Sequence, residues 1–522
     1  MSAERPADFL TQRARDVPDR LALVDERPGR APTRWSFAEL DAQVNRLAHA
    51  LRGIGVAPGD RLLWSGRNSP GVIRAIHAAR KLGTTAVPLS YRFVGKEAAH
   101  VVNHSEAAVC VIDAEQVALF EALRPSLPKV REVLVFDGPP GAQMRALEPL
   151  LEQASASEPP PLPPGFFAAL MAYTSGTTGL PKGAVREAPG NPAQGQALLD
   201  AIRARPDDVY ITTGPLYHSG PGGWLSLAHR LGNTVVVLRN FDPEEWLRLV
   251  EKYRVTCTTC APTPMRRVCD LPREVKARYD CSSLRYLLGS AAAWPFSLKQ
   301  DYVRDFGETS LFEVYGSSEL GGVTLMRPED QLRRPGSCGR ASPGVELKLF
   351  DEAGAEILEP FAPGELYARS PGAFTAYHRD PAAFAAVTRE GFCTSGDIAY
   401  RDEEGFYYIC DRKIDMIVSG GVNIYPAEVE SALERHPGIA EAAVFGVPDR
   451  EWGERVHAVL VGRSATRPSQ DEIAAFLRDQ LASYKLPRSL AWVDALPRNE
   501  LGKLLKRELR EAHWRDRESR VV

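Results

Sequence analysis

The sequence predicts an α/β protein: a large N-terminal part of layered α/β sheets, a small β-rich subdomain, and a small α+β unit at the C-terminal end. Three observations carry that expectation. The first half alternates strand-like and helix-like segments, which is the signature of layered α/β sheets. From about Arg334 the strands shorten and turn signals crowd together, as in SPGVELKLFDEAGAEI and PGELYARS. The segment 414–522 then mixes helical and strand patterns in a short space. With 522 residues the chain exceeds one ordinary core, so two or more domains are expected.

In chain order, Ser36-Phe37-Ala38-Glu39 reads as a capping box that opens a helix with the apolar stripe Leu40, Val44, Leu47 and Leu51. RLLWSG is a strand. Ser69-Pro70 starts a second helix and Gly83 ends it. TAVPLS and AAVCVID follow as strands. Ser155 to Gly165 is a Pro-rich linker. The run FFAALMAY after it reads as a buried strand. Alternation resumes with the strands DVYITTG, TVVVL, RVTCTTC and RYLLGS. The last unit holds the helices PAEVESALERH and DEIAAFLRDQLA and the strands AAVFGV and RVHAVLV.

Composition excludes some classes. A net charge of −3 gives no electrostatic case for nucleic acid or an anionic membrane. The N-terminus has no apolar core of signal-peptide length, and no apolar run approaches the ~18 residues of a membrane span. A cytoplasmic protein without integral membrane association is expected, with monomer and homodimer both open. Of eight cysteines, only Cys257 and Cys260 form a CxxC pair. With no second pair they read as core cysteines.

The most telling segment is MAYTSGTTGLPKGAVRE. Residues Thr174 to Gly183 hold two hydroxyl pairs, three glycines and Lys182. Glycine lets backbone N–H groups approach an anion, hydroxyls add donors, and the lysine adds a point charge. The segment reads as a polyphosphate cradle. It is not a Walker A loop, because Pro181 stands where that pattern needs its second glycine.

This motif, with VYGSSELG, TSGDIAYRDEEGFYYICDR and LPRNELGK in the same order, resembles the adenylate-forming enzymes: acyl-CoA synthetases, aryl-CoA ligases, luciferases and peptide-synthetase adenylation domains. The resemblance covers nearly the whole chain. It implies two steps, in which a carboxylate attacks the α-phosphate of ATP to give acyl-AMP and pyrophosphate, and the thiol of coenzyme A then displaces AMP. It assigns roles residue by residue. Thr174, Ser175, Gly176, Thr177, Thr178, Gly179 and Lys182 match the loop that holds the β- and γ-phosphates. Tyr315 matches the aromatic against adenine, followed by Gly316. Ser318 stands where the family more often has threonine beside the α-phosphate. Glu319 matches the Mg²⁺ carboxylate, with Thr174 as its companion ligand. Asp397 matches the acid on the ribose hydroxyls, and Arg412 an arginine near ribose and phosphate. Lys503 matches the lysine that bridges carboxylate and α-phosphate during adenylation. His218, in PLYHSGPGGW, matches a residue that gates the acid site. Gly420 and Gly421 match a pair that lets pantetheine approach, and Trp452 and Tyr484 match positions that contact CoA.

The resemblance further implies an AMP-binding domain at 1–413, with its β-rich part at about 334–411, and a mobile C-terminal domain at 414–522. The pivot falls on Ile414, where relatives usually carry Asp or Lys; Lys413 or Asp415 is the alternative. A medium- or long-chain fatty acid is the favoured substrate. A steroid side-chain acid, an aryl acid or a stand-alone amino-acid adenylation are alternatives, the last weakened because VYITTGPL offers no carboxylate for an amine. The expected pocket is Tyr217, His218, Trp224, GSAAAW and GGVT, with no cation placed for a second carboxylate.

Overall fold

Ser36 accepts a hydrogen bond from the Glu39 N–H at 3.2 Å, and the Glu39 carboxylate accepts one from the Ser36 N–H at 2.8 Å, so the capping box opens the helix Phe37–Gly53 as its sequence dictates. Ser69 likewise caps the helix Pro70–Leu82, which Gly83 ends in the left-handed region at φ 64°. These elements come from a computed structural model of the chain, which describes residues 8–174, 181–187, 192–412, 415–419, 422–449, 452–464, 467–478, 480–498 and 504–514.

Three sheets organise these residues. The largest has a parallel run: Leu311–Ser317, Tyr286–Gly289, Cys257–Cys260, Val209–Ile211, Thr234–Val237 and Leu21–Asp25, in that spatial order. Beyond Leu311–Ser317 it turns antiparallel through Gly321–Met326 and Ser337–Ala341. The β-rich segment is therefore no separate sheet: its strands, from Tyr407–Arg412 to Glu346–Phe350, continue this one. The second sheet runs Lys182–Arg186, Ala169–Thr174, Thr85–Leu89, Arg61–Ser65, Val109–Asp113 and Glu132–Phe136. Helices Phe37–Gly53 and Pro70–Leu82 pack into one core shared by both sheets. The third sheet lies wholly within Ile417–Val493, covered by Pro426–Glu434 and Gln470–Arg478. The pivot residues Lys413 and Ile414 lie outside the described residues; Asp415 pairs with Arg510 at 2.9 Å.

Two expectations change. The strand foreseen in FFAALMAY begins only at Ala169, where pairing to Thr85 starts, and Phe166 and Phe167 stand exposed before it. The Pro-rich linker is not a free spacer. Ala156 and Ser157 offer carbonyls to Asn45 and His49, and the Glu158 carboxylate sits 2.6 Å from the buried Lys81 ammonium. Lys81 also reaches Thr11, Asp41 and Asn45, each at 2.7 Å, so the linker closes a charge network that burial would otherwise leave open.

A second buried relay joins the sheets' helices. His77 and His229 are 2.8 Å apart, ring nitrogen to ring nitrogen. The hydrogen-bond pattern assigns their protons: Arg80 donates to His77 Nδ1, His77 Nε2 donates to His229 Nδ1, and His229 Nε2 donates to the Ala22 carbonyl. A further proton would set two donors face to face. Burial pushes the His229 imidazole down to about 4 and His77 well below its usual value. Both are thus neutral in the fold and charge in the unfolded chain below about pH 6.5. Their stabilisation is complete above that pH and drains as pH falls toward 4. Urea titrations between pH 7.5 and 5 should show stability falling below pH 6.5, by up to about 1.4 kcal/mol per pH unit for each histidine. Replacing both by glutamine should make the slope shallower; an unchanged slope would show that the relay does not titrate.

Candidate active site

The parallel strands of both large sheets deliver their C-terminal ends to one cavity of about 1420 Å³, where ligands of open α/β sheets are expected. Pro88 helps to open it. Thr85–Leu89 pairs with Ala169–Thr174 only at Thr85 and Ala86, and Pro88, which has no N–H to offer, lies beyond the point where the two strands part.

At one end of the cavity sit most of the described residues that the motifs nominated. Thr174 ends its strand opposite Lys182 in the antiparallel ladder. Its hydroxyl donates to Glu319 Oε1 at 3.0 Å, and the Tyr377 hydroxyl donates to the same oxygen at 3.3 Å. Ser317 Oγ accepts from the backbone N–H groups of Glu319 and Leu320 and so fixes the turn that presents Glu319. Ser318 Oγ lies 3.2 Å from Ser219 Oγ, and its carbonyl accepts from Arg186 at 3.0 Å. Burial lowers the Arg186 pKa, with Glu319 opposing it. Lys182 pairs with Asp380 at 3.2 Å, 5.5 Å from the Tyr377 ring centre. The Tyr315 hydroxyl donates to Asp397 Oδ2 at 2.6 Å, and Ser395 donates to that oxygen at 2.7 Å. Burial first, and Asp397 second, push the Tyr315 phenol well above its usual range. Arg412 pairs through its backbone with Asp397.

His218 precedes the helix Ser219–Leu231, with its ring centre 4.2 Å from that of Tyr217. Burial and the nearby Arg92 hold it down at about 4, so its imidazole is neutral at physiological pH. Its Nε2 is buried with no hydrogen-bond partner among the described residues. Trp452 lies in the C-terminal sheet region, part exposed, with the Arg488 guanidinium 5.2 Å from its ring centre. Tyr484 is exposed nearby in sequence to Arg488. Ser175, Gly176, Thr177, Thr178, Gly179, Gly420, Gly421 and Lys503 lie outside the described residues.

Several lining residues escaped sequence reasoning. Tyr377, Asp380 and Ser395 sit beside nominated residues without a motif of their own. Arg67, Arg92, Arg239 and Arg267 line the cavity, so the expectation of no cation there is corrected. Each of the first three follows a strand end, and that signal could have found them. Trp294, expected in the pocket through GSAAAW, instead turns into the core against Gly289 and Tyr302, while Ser290 and Ala291 do line the cavity.

Residues 10–378 match the model of the AMP-binding enzyme family, and residues 428–503 match that of the AMP-binding enzyme C-terminal domain. The chain belongs to this family. It is 34% identical to an indoleacetate–CoA ligase of Aromatoleum aromaticum over 93% of this chain and 95% of that protein. It is 36% identical to a feruloyl-CoA synthase of an Amycolatopsis species over 92% of this chain and 94% of that one. Among solved structures, ATP-bound MatB from Rhodopseudomonas palustris superposes with a TM-score of 0.87 at 28% identity, over 98% of this chain and 99% of that one. The protein is an acid–thiol ligase that works through an acyl-adenylate, with ATP and coenzyme A as substrates. Among the described residues no helix is long and apolar enough to cross a membrane.

The turn that carries Ser318 and Glu319 depends on Gly316. A Cβ at this position would lie 1.9 Å from the Gly321 carbonyl oxygen and under 3 Å from two more backbone atoms. Backbone cannot swing aside as a side chain can, so Gly316→Ala should destabilise the protein by more than ~2 kcal/mol and weaken nucleotide binding. Thermal unfolding with and without ATP checks this; an unshifted melting curve would show that the hairpin gives way freely.

Proposed function

We propose that this enzyme activates a hydrophobic carboxylic acid carrying an aromatic or fused-ring body and transfers the acyl group to coenzyme A. The observation that supports it is the composition of the single cavity: a charged and hydroxyl-rich end at Thr174, Ser318, Glu319 and Asp397 continues into a chamber walled by Tyr91, Tyr217, Trp224 and Phe241. Flat aromatic walls suit a flat substrate. Relatives named for indoleacetate and ferulate act on acids of that kind. The size of the cavity, about 1420 Å³, favours a medium- or long-chain fatty acid as the second reading.

In this reading one carboxylate oxygen of the acid attacks the α-phosphorus, the bond to the β-phosphate oxygen breaks, and pyrophosphate leaves. The sulfur of coenzyme A then attacks the acyl carbonyl carbon and AMP leaves. Two anions must first be brought together, so positioning and fixed charge supply most of the catalysis. Lys182 and the loop before it bind the terminal phosphates. Ser318 lies beside the α-phosphate, Tyr315 against the base, and Asp397 on the ribose hydroxyls, with Arg412 near ribose and phosphate. Neutral His218 flanks the acid without adding a charge that would hold the carboxylate back. Gly420, Gly421 and Trp452 bind coenzyme A. The unit 414–522 swivels on the unit 1–413 between the two steps and brings Lys503 in for the first.

The site fits Mg²⁺. Among the described residues no group of three or more acidic, histidine or cysteine side chains is placed to hold a metal, but Mg²⁺ needs only one or two protein oxygens beside ATP phosphates and water. Glu319 spends Oε1 on Thr174 and Tyr377, and Oε2 has no hydrogen-bond partner among the described residues. Bound there by Glu319 and Thr174, the ion would neutralise phosphate charge.

Two outcomes test the assignment. Lys503→Ala should cut acyl-adenylate formation by roughly 10²–10³-fold or more while thioester formation from supplied acyl-AMP persists. Equal loss in both half-reactions, measured separately by single turnover, would sink the role. Glu319→Gln should keep the shape of the site, raise the Mg²⁺ concentration needed for half-maximal activity and lower adenylation. A Mg²⁺ titration that superposes on the wild type would remove Glu319 from the metal site. An acid panel scored by CoA-dependent AMP release, with arylacetic, cinnamic and straight-chain acids side by side, decides between the two substrate readings.

A further inference from the structure

Sheet order fixes which end of the cavity is which. Thr174 and Glu319 mark the nucleotide end. From Leu311–Ser317 the large sheet steps through Tyr286–Gly289, Cys257–Cys260 and Val209–Ile211 to Thr234–Val237. At ~4.8 Å per strand those four steps span roughly 19 Å. In the facing sheet, the strands Ala169–Thr174, Thr85–Leu89 and Arg61–Ser65 step the same way. The cavity lining follows both sheets to residues just past their far strands, Arg67 on one side and Asn240 on the other. There the two sheets touch: Arg67 Nη1 donates to Asn240 Oδ1 at 2.6 Å.

We propose that this Arg67–Asn240 bridge is the distal wall of the acid chamber and sets the longest acid the enzyme accepts. The inference rests on the acyl-CoA ligase reading and adds a specificity determinant to it. The bridge is braced. Arg67 Nε donates to Glu115 at 2.7 Å, and its guanidinium lies 5.0 Å from the Tyr91 ring centre. Glu115 also accepts from Arg239 at 2.9 Å, and Arg239 donates to the buried Asp113 at the same distance. The adjacent Asn68 is locked to the opposite sheet by hydrogen bonds to Thr212, Gly214, Leu216 and Leu238. An acyl tail that outgrows the chamber therefore meets a polar, ion-paired closure. It can pass only by separating Arg67 from Asn240 and leaving both facing apolar carbon.

The test is ATP–pyrophosphate exchange with a graded series of ω-phenylalkanoic and straight-chain acids. Asn240 is exposed, so its truncation leaves the core intact. In Asn240→Ala and Arg67→Gln, kcat/KM for the longest acid divided by that for the shortest should rise tenfold or more, with the KM for ATP unmoved. Asn240→Asp, which converts the bridge to an ion pair, should hold the ratio at or below the wild-type value. A ratio within twofold of wild type in Asn240→Ala overturns the proposal, as does a rise in Asn240→Asp equal to that in Asn240→Ala. Equal losses for every acid with a lowered melting temperature would make the bridge a stability element. A wild-type enzyme that exchanges with no acid would overturn the ligase reading itself.

Discussion

The amide of Asn68, at the end of one sheet, reaches into the C-terminal edge of the other. Its NH₂ group lies within 3.3 Å of the Thr212, Gly214 and Leu238 carbonyls, and its carbonyl accepts the Leu216 N–H at 2.9 Å. The contacts are to backbone, so they fix where the segment between Val209–Ile211 and the helix Ser219–Leu231 runs. That segment carries Tyr217 and His218. The distance between the sheets, and hence the width of the cavity, follows from a side chain that can satisfy only one arrangement of donors and acceptors. Truncating it would leave a buried N–H and several carbonyls without a partner, and a sheet edge without its register.

The nucleotide end shows a consistent logic of charge. Lys182 rests on Asp380, Glu319 on Thr174 and Tyr377, Asp397 on Tyr315 and Ser395, and Arg186 on the Ser318 carbonyl. Each group that would meet a phosphate, a ribose or a cation is held by a neighbour from a different segment of the chain. Such groups need little reorganisation when substrate arrives, which is what electrostatic preorganisation requires. The arrangement also explains why the β-rich segment is continuous with the large sheet: Asp397 and Asp380 must be brought to a rigid edge from well over fifty residues beyond Tyr315.

Much of this was legible in the chain. The capping box, the Ser69-Pro70 start, the Gly83 stop and the parallel strands each depend on local chemistry that a few residues spell out. The four ordered motifs placed Thr174, Ser318, Glu319 and Asp397, which the fold gathers from segments far apart. What escaped had no local signal. Asn68, Arg67 and Asn240 act only because two sheets face each other, a relation that no single segment encodes. Trp294 looked like a pocket residue from its small neighbours, but the glycine at 289 leaves room for the indole to fold back onto it. Phe166 and Phe167 looked like strand; the ladder simply has no partner for them before Ala169. The linker's prolines suggested a spacer, and a single glutamate, Glu158, turned it into part of a buried network.

All eight cysteines are unpaired thiols, six of them buried and two partly so. Burial raises the Cys110, Cys257, Cys269, Cys281 and Cys338 thiols to about 12, and so holds them in the unreactive protonated form. A reagent that colours free sulfhydryls would therefore find few on the folded enzyme and many in the reaction mixture. For a catalyst whose second substrate is itself a thiol, that silence is convenient: the fading of the dye signal can be read as consumption of coenzyme A, with the polypeptide contributing little background until it unfolds.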